Sequence, residues 1–155
     1  MWRHGDRTSG TPFIKDVNNS AYTWPEGLSE LTKRGMQQHY ALGQWLRNVR
    51  YAGFLRENYN ASEIYVRSTD ANRTIQSAQA NIAGFYSNAP KEFRFQPELN
   101  WIPVPVHTVP APYDYLLKMD NDCPKADKIK LEVNESPEVR RFIAKNQVKY
   151  QDSFC

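Results

Sequence analysis

Cysteine is scarce in this sequence, with Cys123 and Cys155 the two in 155 residues. Neither lies in a CxxC pair or beside a histidine, which argues against a metal centre and against thiol catalysis. They are free to pair with each other, to stay reduced or to bond outside the chain, and their spacing does not choose. No apolar run is long enough to cross a bilayer. No signal peptide is visible, because Met1 is followed at once by a charged cluster, and taken literally that reads as cytosolic. Charge of one sign is not in large excess either: the formal net charge is +3, and the Lys and Arg residues are spread out instead of forming a stripe. That leaves no electrostatic footprint for a nucleic-acid partner. Internal repeats and low-complexity tracts are absent.

What is present fits one ordinary soluble domain with a core, at 40% hydrophobic and 24% charged residues. Four Asn-x-Ser/Thr sequons, at Asn18, Asn60, Asn72 and Asn134, stand against the cytosolic reading, since such sites carry sugar only when exposed in a secreted protein.

The polar stretch Ser9 to Asn19 reads as a surface loop. A helix follows from Thr32, its N-cap, because Leu28, Leu31, Gly35, Leu42, Leu46 and Val49 recur at helical spacing. Glu63 to Arg67 is a β-branched and aromatic run expected to form a strand, which turns through Ser68-Thr69-Asp70 into a second helix from about Ala71 to Phe85. Ile75, Ala78, Ile82 and Phe85 form that helix's inner face, and Asp70 is its expected N-cap. Proline density from Phe93 to Pro112 forbids a central strand and implies an edge or wrapping segment. Near the end, Ser136-Pro137-Glu138 is a helix start, with Val139, Phe142 and Ile143 as a packing stripe. His107 is read as a structural residue, and His39 as lying on the polar or interhelical side of its helix.

Chemistry concentrates at Arg3-His4-Gly5-Asp6-Arg7. There an imidazole able to act as a nucleophile stands between two guanidinium groups, whose rigid donor forks match phosphate oxygens. Asp6, flanked by two arginines, is a poor proton donor and is expected to orient the loop. A second signal is Arg73, in the first turn of the second helix, where the macrodipole already favours acidic residues. Either it bends back to solvent, or it joins the free amides of that helix end in an anion pocket.

These stretches resemble the histidine acid phosphatase family, in its prostatic and lysosomal branch. RHGDRT at Arg3 to Thr8, the segment Trp24 to Arg47, IYVRSTDANRTIQSA at Ile64 to Ala78 and WIPVPVHTVP at Trp101 to Pro110 carry the likeness, in matching order, over roughly Arg3 to Pro124. The resemblance implies an α/β sandwich with a mostly parallel sheet and a helical cap. Residues 1–124 then belong to the α/β domain, and residues 125–155 form a charged segment with a short helix at the start of the cap or a truncated tail. It implies His4 as the nucleophile that becomes a phosphohistidine, and Arg3, Arg7 and Arg73 as phosphate ligands, with Arg67 structural. No cofactor and no metal are needed, since arginines neutralise the charge. The substrate class is a phosphate monoester, the location secretory or lysosomal, and a homodimer is a further expectation, with membrane association only through a segment outside this chain. The family's His-Asp pair, whose aspartate protonates the leaving group, has no counterpart: His4, His39 and His107 precede Gly5, Tyr40 and Thr108. The fold is therefore expected to be incomplete, lacking its first strand and its C-terminal half. Cys123 resembles a family cysteine whose disulfide partner would lie in that half. The competing readings are a non-catalytic anion- or partner-binding module and a phytase-like or sugar-phosphate phosphatase.

Overall fold

Thr32 starts the first helix as its hydroxyl predicts: it sits in an extended conformation and its Oγ1 accepts the Gly35 N–H at 3.1 Å. The resulting α1 spans Lys33–Trp45 in a computed structural model that describes residues 1–13, 15, 16, 23–118 and 123–151. Asn18 and Cys155 lie outside the described residues, as does part of the loop expected at Ser9 to Asn19. From Leu46 to Arg50 the helix widens into a π turn. That change of pitch turns Val49 out of the apolar face where regular spacing puts it, and it is 63% exposed.

Strand β1 is Val66–Arg67, shorter than the expected Glu63 to Arg67. Only these two residues find a partner, pairing in parallel with β2, Val106–His107, in the register Val66 with Val106 and Arg67 with His107. Glu63 is instead taken up by Arg56, 2.9 Å away. The ladder continues one step further where the Ser68 N–H donates to the His107 carbonyl at 2.9 Å. The result is mixed helix and strand with a parallel pairing, as expected of part of the α/β sandwich.

Helix α2, Asn72–Phe85, follows β1 after four residues. Its N-cap is Ala71, not Asp70, and no side chain caps it. Thr69 and Thr74 close the turn instead: Thr74 Oγ1 is bonded to the Thr69 carbonyl at 3.0 Å and to the Ala71 carbonyl at 2.8 Å. The inner face is as expected at Ala78, Ile82 and Phe85, which are buried, while Ile75 is half-buried. With Val66, Tyr86, Ala89 and Ile102 they form the core. Burial pushes the Tyr86 hydroxyl up to about 12. The Arg47 guanidinium lies 5.3 Å from the Phe85 ring centre and 5.9 Å from that of Tyr86, closing one side of the cluster. Opposite charge secures the strand: Arg67 Nη2 meets the fully buried Asp114 carboxylate at 2.5 Å.

α1 and α2 touch through their main chains. A β-carbon on Gly43 would stand 2.0 Å from the Asn81 carbonyl oxygen, and one on Gly84 would stand 2.0 Å from that of Tyr40. Helices this close leave no room for side chains at the crossing.

The chain divides into two units, Met1–Lys118 and Met119–Cys155. The second holds α3, Pro124–Asn134, and α4, Pro137–Gln151. Ser136 caps α4 as expected, accepting the Val139 N–H at 3.3 Å. Phe142 and Ile143 of the expected packing stripe are exposed, at 61% and 53%. No helix among the described residues is long and apolar enough to cross a membrane.

The glycine crossing is testable. Alanine at position 43 gains up to about 1 kcal/mol of helix propensity, against an overpacking cost of about 1–3 kcal/mol or more when carbonyl oxygens must move. Gly43→Ala is therefore expected to lower the urea midpoint, with an unchanged slope; a higher midpoint would show that the helices part freely.

Candidate functional site

Residues 3–9 form an extended loop held on one side by main-chain bonds and on the other by side chains. Asp6, Thr8 and Ser9 run antiparallel to residues 29–32: the Thr8 N–H donates to the Glu30 carbonyl at 2.9 Å, the Thr32 N–H to the Asp6 carbonyl at 3.0 Å and the Ser29 N–H to the Ser9 carbonyl at 2.9 Å. Arg7 bridges Leu31 in the same ladder. Thr8 is buried because its hydroxyl ties the segment together, donating to the Gly27 carbonyl at 2.6 Å and accepting the Glu30 N–H at 3.1 Å.

The loop then lies flush on α1. A β-carbon on Gly5 would stand 2.5 Å from the Gly35 carbonyl oxygen, and one on Gly35 would stand 2.2 Å from that of Asp6. The Asp6 N–H donates to Gln38 Oε1 at 2.9 Å, and the Asp6 carboxylate accepts the Thr32 hydroxyl at 2.8 Å. Asp6 therefore orients the loop, as its position between two arginines implied. On the other side Ser77 of α2, fully buried, accepts the Gly5 N–H at 3.2 Å and donates to the Arg73 carbonyl at 2.6 Å. Asn72 adds a second tie, donating from Nδ2 to Glu30 Oε1 at 3.0 Å.

His4 is half-buried, and its Nδ1 lies 2.8 Å from the Gly5 carbonyl oxygen. A carbonyl only accepts, so in the neutral ring Nδ1 carries the proton and Nε2 keeps the lone pair. Arg3 and Arg7 are exposed, and Arg7 turns back to donate to the Thr8 carbonyl at 2.7 Å. Arg73 is half-buried, and its Nε is shielded from solvent without a hydrogen-bond partner. Its helix end has no capping side chain and no acidic residue in the first turn. An anion there would meet the guanidinium and the positive end of the helix together.

Arg3 and His4 also border an apolar cleft of about 810 Å³, together with Val66, Ser68, Thr69 and Ser77. Arg7 and Arg73 do not line it. His107, read as structural, is exposed on β2 with its ring stacked on Tyr65 at 4.8 Å. His39 is buried on the interhelical side of α1, and burial holds its imidazole below the ordinary 6.5, against a hydrogen bond with the Arg3 main chain that raises it; the neighbouring His4 lowers it further. Among the described residues no cluster of His, Cys, Asp or Glu could hold a metal, and Cys123 is exposed and unpaired.

The family model of the histidine phosphatase superfamily, branch 2, matches residues 1–154. The chain belongs to this family. It is 44% identical over 147 residues to the lysosomal acid phosphatase of Homo sapiens, an alignment covering 94% of the chain and 34% of the relative. The lysosomal acid phosphatase of Xenopus laevis is 46% identical over 139 residues, covering 89% and 32%, and the testicular acid phosphatase of Mus musculus 41% identical over 146 residues, covering 92% and 33%. The chain thus spans about a third of the length of these relatives.

At this junction of loop and helices, Ser77, Gln38 and the Gly5–Gly35 contact escaped sequence reasoning. Each joins segments far apart in the chain. The one local hint was that Gln38, like Gly35, lies within helical spacing of Leu31.

The depressed His39 has a measurable consequence. Below pH 6.5 an unfolded chain takes up a proton that the folded ring resists, so folded stability falls as the pH drops from 6.5 toward the lower folded value. His39→Gln removes this term, and the parent is expected to lose thermal midpoint relative to the variant between about pH 7 and pH 5. A constant difference across that range would contradict the assignment.

Proposed function

We propose that the chain carries the phosphate-binding and nucleophilic part of an acid phosphatase acting on phosphate monoesters through a phosphohistidine. The carrying observation is the junction of two elements: the loop with His4 is tied by Ser77 to the helix end that bears Arg73, whose shielded Nε has no partner. In this reading Nε2 of His4 attacks phosphorus, the ester oxygen leaves, and Arg3, Arg7 and Arg73 neutralise the non-bridging oxygens. Gly5 receives the Nδ1 proton in a hydrogen bond, which keeps the ring oriented through the transfer. Water then attacks the phosphohistidine and frees inorganic phosphate.

Protonation of the leaving oxygen needs a donor other than a His-Asp pair of these 155 residues, since none occurs. General acid catalysis contributes about 10²–10⁴-fold, and most for poor leaving groups. Turnover by this chain alone is accordingly confined to activated aryl phosphates. Residues 125–155 are read as the beginning of the cap. The names of the relatives favour a lysosomal or secreted location, where the sequons would be open to glycosylation. The missing His-Asp pair is the one observation favouring the second reading, a non-catalytic anion-binding module.

Acid-sensitive, alkali-stable label trapped on the chain from a radiolabelled aryl phosphate, and lost in His4→Ala, is the result expected of the enzyme. Phosphate binding without any trapped label in the parent would favour the module. Arg73→Ala, which removes charge-assisted bonds worth about 1.5–3 kcal/mol, is expected to weaken inorganic phosphate binding by about 10–150-fold in calorimetry. Unchanged affinity would remove Arg73 from the site.

A further inference from the structure

Two of the sequons, at Asn60 and Asn72, fall among the described residues of the first unit, and the fold treats them differently. Asn60 opens the turn that leads toward β1. Its Oδ1 accepts both the Ser62 N–H at 2.9 Å and the Ser62 hydroxyl at 2.8 Å, and its carbonyl accepts the Glu63 N–H at 3.0 Å. The amide oxygen is thereby committed, while Nδ2 makes no hydrogen bond among the described residues and is not shielded from solvent. Ala61 and Ser62, the rest of the sequon, are exposed. The turn itself is anchored on both sides, by Tyr59, whose ring meets that of Tyr86 edge-on at 6.4 Å, and by Ile64, which packs against the core. A bulky, hydrated group on Nδ2 would break no hydrogen bond there.

At Asn72 the amide nitrogen is in use. Asn72 is the first residue of α2, and its Nδ2 donates to Glu30 Oε1 at 3.0 Å. The hydroxyl that completes its sequon, on Thr74, is bonded to the Thr69 and Ala71 carbonyls. Arg73 stands between the two. A sugar on Asn72 would break the tie to Glu30 and crowd the helix end that bears Arg73.

We propose that Asn60 carries an N-linked glycan and that Asn72 does not. The bond formed joins Nδ2 of Asn60 to the anomeric carbon of the first sugar; Nδ2 gives up a proton, and the donor, an oligosaccharide carried on a lipid pyrophosphate, loses that pyrophosphate as the leaving group. The turn at Asn60 precedes β1 and Arg73 follows it, so the glycan enters at the other end of the strand from the anion site.

This assignment rests on the lysosomal or secreted location proposed above, and the test separates the two. The full chain is led into the secretory pathway of cultured cells by an added leader sequence. Its N-glycans are then cleaved by a glycoamidase in heavy-oxygen water, which leaves a labelled aspartate wherever a sugar stood, and peptide mass mapping reads each sequon. The same mapping is applied to the native protein after fractionation of its source cells. Label is expected at Asn60, with one glycan lost from the intact mass in both Asn60→Gln and Ser62→Ala, and none is expected at Asn72. An unlabelled Asn60 in the directed chain overturns the assignment, as does label at Asn72 as complete as that at Asn60. Native protein that is lysosomal or secreted yet bare at Asn60 overturns it as well. Native protein confined to the cytosol and bare at every sequon overturns the location reading and the assignment with it.

Discussion

Everything in the first unit depends on main chains approaching without side chains between them. Gly5 against Gly35 sets the loop on α1, and Gly43 and Gly84 set α1 on α2. The three backbones form one stack, and its geometry is unforgiving because carbonyl oxygens, unlike side-chain ends, cannot swing aside. The stack is also what brings residues 4 and 73, far apart in sequence, onto neighbouring elements, with Ser77 bonded to both sides.

Arg73 stands in the first turn of α2, a helix end that carries no acidic residue, and its shielded Nε has no hydrogen-bond partner, while the acid inside the loop motif, Asp6, commits its carboxylate to Thr32. Folding alone gains nothing from a cation fixed at the positive end of a helix. The contrast is Arg67, whose guanidinium meets the buried Asp114 carboxylate and fastens β1 to the 111–117 segment. A stabilising arginine has its acid beside it, whereas Arg73 has none in the first turn of its helix.

Local signals in the sequence were legible. Thr32 and Ser136 act as caps where their hydroxyls predict, and the apolar spacing of Ala78, Ile82 and Phe85 marks the buried face of α2. What went astray needed a partner that sequence does not display. The strand at Glu63 to Arg67 shrank to the two residues that meet β2, the N-cap position expected at Asp70 fell to Ala71, and a π turn moved Val49 outward. In the site, the motif residues were visible as chemistry. The ties that hold them, Ser77, Gln38 and the glycine contacts, were not, because each is a distance between segments and not a property of either.

The central claim is that the 3–7 loop and the N-terminus of α2 make one anion site. Amide shift mapping during a titration of the full chain with inorganic phosphate tests it most directly. The account predicts saturable shifts that move together at His4 to Arg7 and at Asn72 and Arg73, with a single dissociation constant. Shifts confined to one of the two segments, or scattered over surface lysines and arginines without saturation, would contradict it.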